Sequence, residues 1–269
     1  MGGMSIEETF TQLRARGEKA LIPFITCGDP DLETSRQALF TLADYGADII
    51  EVGVPYADPL ADGPVIQAAA TRALRRGTTP TQVLDLLAGV TAKIQTPLVL
   101  FSYYNPVLAV GPDAFIKAVA VAGVRGLVIP DLPLEESQEI LALGAAHGVE
   151  VILLVAPTSP VERVTRIVEQ SQGFVYLVSL TGTTGVRAVL STLLPQRIAL
   201  VRSLTAKPVA VGFGIATATQ ARQVADWGAD GVIVGSACVR LLAETPAAER
   251  LEALAKFCQT LKEALRGSP

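Results

Sequence analysis

The chain has 269 residues, half of them hydrophobic, with a mean hydropathy of +0.42, a net charge of −4 and a pI near 5.2. Its basic residues are dispersed, which argues against nucleic acid or an anionic membrane as a partner. No run approaches the ~18 apolar residues of a membrane span, and the polar start "MGGMSIEETFTQLRARGEKA" has no signal-peptide core, so a cytoplasmic location is expected.

The first predicted element is a helix in "SIEETFTQLRARG", where Ser5 as N-cap and Glu8 three positions on form a capping box. Short β-rich apolar runs then alternate with helical patterns. The strand candidates are "ALIPFITC" (20–27), "DIIEVGV" (48–54), "PLVLFSYY" (97–104), "GLVIPD" (126–131), "EVILLVA" (150–156), "FVYLVSL" (174–180), "PVAVGFG" (208–214) and "GVIVGSA" (231–237). Near-continuous apolar runs are what parallel strands buried on both faces require. Between them, "TPTQVLDLLAGVTAKI" carries Val83, Leu86, Leu87 and Val90 at a 3.6-residue period, and "TATQARQVADWG" and "LEALAKFCQTLKEAL" behave alike. A weak echo links "YGADIIEVG", "AGVRGLVIP" and "WGADGVIVG", each a helix ending in glycine and followed by a strand. Eight such units without a break in composition predict an α/β fold: a single (β/α)8 TIM barrel with an extra N-terminal helix, one catalytic domain over residues 1–269. An open doubly wound sheet is the alternative, weakened because no G-x-G-x-x-G follows the first strand.

Several side chains are expected to be structural. Cys27, Cys238 and Cys258 fit no metal or redox spacing and suit small buried hydrophobes. His147, the only histidine, precedes a glycine that ends a helix, where a cation suits the helix dipole. One histidine cannot supply a multi-histidine metal site, and no metal is expected. Lys19, Lys93 and Lys207 precede strands 1, 3 and 7, while Lys117, Lys256 and Lys262 fall in helical patterns. None is placed for Schiff-base chemistry, which disfavours a lysine-dependent aldolase or a pyridoxal phosphate enzyme.

In a barrel the chemistry belongs at the C-terminal ends of the strands. Ile49, Glu51 and Gly53 share one face of the second strand, opposite the apolar Ile50, Val52 and Val54. Glu51 is thus expected to point into the barrel near its top, with a raised pKa suited to acid–base work, or to be a structural hydrogen-bonded acid. Asp62, Asp58 and Asp131 each have the local chemistry of turn residues, and Tyr103 and Tyr176 that of core aromatics. "VGFGIAT" and "IVGSACV" follow strands 7 and 8, where many barrels hold phosphate. There Gly212, Gly214 and Gly235 permit close backbone approach, and Ser236 adds a hydroxyl. "SLTGTTGVR" (179–187) has the composition of a lid, and its Gly185 offers a further amide.

Together "PFITCGDP" (23–30), "IIEVGVPYADPLADGP" (49–64), "FSYYNPV" (101–107), "VIPDLP" (128–133), "VYLVSLTGTTG" (175–185), "VGFGI" (211–215) and "VGSA" (234–237) carry a resemblance that spans the chain in register. The sequence resembles the tryptophan synthase alpha subunit family. That resemblance implies a barrel that cleaves indole-3-glycerol phosphate to indole and glyceraldehyde 3-phosphate. It implies no cofactor in this chain, and a tryptophan synthase beta subunit, carrying pyridoxal phosphate, as partner in an alpha2-beta2 tetramer. Matched by motif, Glu51 becomes the acid–base residue, Asp62 the acceptor for the indole N–H and Tyr176 an orienting residue. Gly185, Gly214, Gly235 and Ser236 take the phosphate beside Thr184, and Phe24, Phe101, Val128, Leu154, Phe213 and Ile233 the indole. Asp58, Pro59, Asn105 and Pro133 match partner-contacting segments. One departure is that Leu180 and Thr183 stand where the family often has arginine and valine, which bears on lid closure and signalling to the partner. A stand-alone lyase, a non-catalytic phosphate-binding activator and another phosphate-binding barrel such as a phosphoribosyl isomerase remain as alternatives.

Overall fold

The computed structural model describes residues 4–179, 190 and 192–266. In chain order the elements are α1 (Ile6–Ala15), β1 (Ala20–Thr26), α2 (Leu32–Asp44), β2 (Ile50–Gly53), α3 (Pro64–Arg75), α4 (Pro80–Thr91), β3 (Leu98–Phe101), α5 (Tyr104–Val110), α6 (Pro112–Val121) and β4 (Gly126–Val128). There follow α7 (Ser137–His147), β5 (Glu150–Ile152), β6 (Leu154–Val155), α8 (Val161–Gln170), β7 (Val175–Val178), α9 (Leu194–Leu204), β8 (Val209–Gly212), α10 (Ala218–Asp226), β9 (Gly231–Val234), α11 (Ser236–Glu244) and α12 (Arg250–Leu265). All described strand pairs are parallel.

The eight predicted strand runs appear as nine strands because the fifth run divides at Leu153. Its first half, β5, pairs with β4, and its second half, β6, pairs with β7. The sheet order β5-β4-β3-β2-β1-β9-β8-β7-β6 therefore starts and ends on one stretch of chain, which closes the ring. At the bend the Leu153 amide goes to Ser171 Oγ at 2.9 Å, while the Leu153 carbonyl accepts from Tyr176 N at 3.1 Å. The other predicted runs extend past the observed strands at their C-terminal ends. Gly235-Ser236-Ala237 is the plainest case, since Ser236 opens α11 instead of ending a strand.

Side-chain parity sorts the core into two shells. Ile22 and Phe24 of β1, Val99 and Phe101 of β3, Val128 of β4, Tyr176 of β7 and Ile233 of β9 face the barrel interior. Leu21, Ile25, Ile50, Val52, Leu98, Leu100, Leu127, Val211 and Val232 face the helices. Each such aliphatic side chain contributes roughly 1.5–3 kcal/mol when fully buried. The capping box at Ser5 and Glu8 forms as expected and starts α1, which closes the N-terminal end of the barrel. Ile6, Phe10 and Leu13 enter the interior cluster, and the Phe10 ring lies 5.7 Å from that of Phe174. Gly126 makes room for this plug, since a Cβ there would lie 2.5 Å from Ile6 Cδ1. Gly46, Gly123 and Gly228, the glycines of the echo, adopt φ of 109°, 75° and 100°, so each turns a helix into the next strand at little steric cost.

The structural readings of the minor residues hold. The three cysteines are free and buried. His147 ends α7 before Gly148 in the left-handed region, and its Nε2 lies 2.8 Å from Asp113 Oδ1. Lys207 Nζ donates to the carbonyls of Val168, Glu169 and Ser171 at the end of α8. Lys262 is buried between Asp48 and Glu18 at 2.9 Å from each.

Candidate active site

The C-terminal ends of the strands gather a pocket lined by Phe24, Glu51, Asp62, Ile66, Phe101, Tyr176, Phe213, Gly214, Ile233, Gly235 and Ser236. The register sets this up. Phe24 of β1 lies opposite Glu51, and Glu51 opposite Val99, so the acid sits within the ring and not on a loop. Gly53 leaves space for the Phe24 ring, whose Cζ would be 2.6 Å from a Cβ at that position. Phe24 and Phe101 meet edge to face at 5.7 Å, and Tyr176 and Phe213 lie 5.8 Å apart. The walls are thus aromatic and apolar, and the two carboxyl groups are the acids among the lining residues.

Glu51 is 2% exposed, and its Oε1 has no hydrogen-bond partner among the described residues. Burial pushes its pKa up to about 8, and the nearby charge of Asp62 adds to the shift. Asp62 precedes Gly63 and Pro64, the N-cap and first residue of α3, and is 5% exposed. Burial lifts it to about 6, opposed by a hydrogen bond from Tyr103 Oη to Asp62 Oδ2 at 2.9 Å. Near neutral pH the pocket therefore holds one protonated and one ionised carboxyl, a division of roles that suits proton donation beside charge stabilisation. Tyr176 is held well above the ordinary phenol range by burial and by the two acids, so it stays neutral.

Phe213, Gly214, Gly235 and Ser236 complete the pocket lining at the ends of β8 and β9. Phe213 and Gly214 both adopt positive φ, 71° and 86°, at the end of β8. For a bulky aromatic this is an uncommon, costly conformation of the kind found at functional sites. Beside it, after the neighbouring strand β9, α11 begins at Ser236, with Gly235 as N-cap, no side-chain cap and no acid in the first turn. The first amides of a helix lack intrahelical partners and favour negative charge. Among the described residues no three His, Cys, Asp or Glu side chains converge as a metal set.

Of the site residues expected from sequence, the pocket brings together Glu51, Asp62, Tyr176, Phe24, Phe101, Phe213, Gly214, Ile233, Gly235 and Ser236. Val128 belongs to the same interior cluster without lining the pocket. Leu154 lines an adjoining pocket with Ile129, Leu153 and Arg163, which shares Phe213 with the first. Thr184 and Gly185, and the departures at Leu180 and Thr183, lie outside the described residues. Asp58, Asn105 and Pro133 are exposed and Pro59 is half-exposed. Asp131 accepts from Tyr104 N at 2.8 Å and so anchors the start of α5. Sequence reasoning missed Ile66, on α3, and the hydroxyl of Tyr103. The latter residue is core as expected, but it also touches Asp62, 41 positions away in the chain.

This geometry can be set beside known proteins. The family model described as tryptophan synthase alpha chain matches residues 10–266. The chain belongs to the tryptophan synthase alpha chain family. It is 57% identical to the family member of Picosynechococcus, over 97% of this chain and 99% of that one. It is 56% identical to that of Gloeobacter violaceus, over 98% and 96%. Among solved structures, a chain of Mycobacterium tuberculosis tryptophan synthase superposes with a TM-score of 0.89 at 38% identity, covering 100% of both chains. A chain of the Pyrococcus furiosus tryptophan synthase complex superposes with a TM-score of 0.83 at 33% identity, covering 91% of this chain and 98% of that one. The family places the chain in tryptophan biosynthesis, and the neighbouring structures are tryptophan synthase complexes.

Proposed function

We propose that Glu51 and Asp62 carry the alpha reaction of tryptophan synthase, the carbon–carbon lyase step that splits indole-3-glycerol phosphate into indole and glyceraldehyde 3-phosphate. The observation that supports this best is Glu51 itself, a buried acid with an unpartnered oxygen, raised to about 8, in an aromatic pocket shared with Asp62. Protonated Glu51 delivers its proton to indole C3. This makes the ring cationic and turns it into a competent leaving group. Ionised Asp62 accepts the indole N–H and offsets the positive charge as it develops, where fixed charge lowers the barrier most. The Glu51 carboxylate then takes the proton of the glycerol hydroxyl. The aldehyde C=O forms, the C–C bond breaks, and its electron pair restores the neutral indole. Glu51 ends protonated, ready for the next turnover. Tyr176, Phe24, Phe101 and Ile233 orient the ring, while Gly214, Gly235 and Ser236, with Thr184 and Gly185, take the phosphate.

The same reading makes residues 1–269 one catalytic domain that works in the cytoplasm. It assigns a beta subunit to the exposed segments at Asp58, Pro59, Asn105 and Pro133, in an alpha2-beta2 tetramer whose pyridoxal phosphate belongs to the beta subunit. Beside them Leu60 is 73% exposed, an apolar side chain suited to a partner. The similar chain of the Pyrococcus furiosus tryptophan synthase a2b2 complex, a complex described as mutually activating, supports this assembly at 35% identity. The test is to mix the purified chain with indole-3-glycerol phosphate, with and without a beta subunit, and to measure indole. Release that rises with the beta subunit and falls about 10²-fold or more in Asp62→Asn supports the reading. No indole in either mixture, or an unchanged rate in Asp62→Asn, overturns it.

A further inference from the structure

We infer that Tyr103 is a positioning residue that holds Asp62 in place by donating its phenolic hydrogen to one carboxylate oxygen, which leaves the other for the substrate. The inference rests on the role proposed for Asp62 and deepens it. The direction of the hydrogen bond is set by geometry. Tyr103 Oη accepts from the Ala61 amide at 3.1 Å and lies 2.9 Å from Asp62 Oδ2. With the Ala61 N–H already pointing at the hydroxyl, the phenolic proton goes to the carboxylate. Such a bond to an ionised acceptor is stronger than one between neutral groups.

The phenol can act this way because it is itself immobilised. Tyr103 is 2% exposed at the end of β3. The Ser102 amide before it donates to Val128 O at 3.0 Å, and the Tyr104 amide after it donates to Asp131 Oδ1 at 2.8 Å. The ring stacks on Tyr56 at 5.1 Å and meets Phe101 edge to face at 6.2 Å. Tyr56 in turn accepts from Asn105 Nδ2 at 3.1 Å. A phenylalanine would keep all the ring contacts and lose the hydroxyl's two bonds, the one it donates to Asp62 and the one it accepts from the Ala61 amide beside it, so the hydroxyl has a task separable from that of the ring. Around Asp62 the other titratable groups are Glu51 of β2 and Tyr176 of β7, with Asp131 acting on Tyr103 from the loop after β4.

The test is Tyr103→Phe in the full chain, alone and in complex with the beta subunit. Losing the donor destabilises the Asp62 carboxylate, so its pKa rises and the acid limb of the rate profile moves to higher pH. We expect kcat to fall about tenfold with KM little changed. In an Asp62→Asn background the same substitution should cost nothing further. The Asp62 titration is read directly from the carboxyl carbon in isotope-labelled protein by NMR. An unmoved Asp62 titration, or an equal loss of rate in the Asp62→Asn background, overturns the inference. An unchanged rate in Asp62→Asn alone would instead overturn the catalytic role of Asp62, while the NMR titration would still decide the contact.

Discussion

Replacing Glu51 by glutamine should sharply slow indole release and at the same time change how stability depends on pH. In the folded chain Glu51 keeps its proton up to about pH 8, whereas the unfolded chain releases it through about 4.5. Between those values the native state binds more protons, so this acid costs the fold progressively more as pH rises, and the cost is constant above about 8. Each pH unit in that window is worth about 1.4 kcal/mol, so from pH 5 to pH 8 the acid removes up to about 4 kcal/mol of stability. Glutamine has nearly the same shape and does not titrate. Its pH-independent differences cancel when the two chains are compared across pH, as do groups common to both. Glu51→Gln should therefore become more stable relative to the parent by up to about 4 kcal/mol over that range. Urea unfolding at intervals of pH measures this. In the complex, indole release should fall by ~10²–10⁴-fold, the contribution of a positioned acid or base. Parallel stability curves would refute the raised pKa, and turnover within a few-fold of the parent would refute the catalytic role.

Three further outcomes are expected. The pH profile of kcat/KM should be bell-shaped: activity is lost below about 6 as Asp62 is protonated and above about 8 as Glu51 ionises. Indole release at constant ionic strength tests this, and a profile flat from pH 5 to 9 would contradict the division of roles. Gly212→Ala would place a methyl group 2.5 Å from the Tyr176 hydroxyl, and the flanking Phe174 and Phe213 rings leave Tyr176 no ready retreat. A loss of about 1–3 kcal/mol in unfolding free energy and a clear drop in kcat/KM are expected. Lys262→Met leaves Asp48 and Glu18 without their shared cation, far from the pocket, and should cost about 3 kcal/mol or more in urea unfolding. The kcat of the folded variant should stay at the parent value.

Much of the molecule was legible in its residues because the signals are local. The two-residue period of β2 alone sends Glu51 inward and Ile50 and Val52 outward. The capping box of α1, the buried stripe of α4 and the glycines that turn helices into strands need only neighbouring positions to be read. Periodicity also placed the lysines at the wrong end of the barrel or in helices. The division of the fifth strand run was not legible, because both halves are equally apolar. What separates them is which neighbouring strand each meets in closing the ring. Asp62 illustrates the same limit. Its local sequence is that of a turn, and motif resemblance alone raised it to a site residue. Its burial and its bond to Tyr103 depend on a segment 41 residues away. Composition and period determined the layers, the inward acid and the end of the barrel where chemistry belongs, since these follow from backbone geometry repeated over a few residues. Only the tertiary structure decided which groups share the pocket, which of two carboxyls keeps its proton and which phenol holds the other. Burial and proximity are properties of the closed ring, and no single segment contains them.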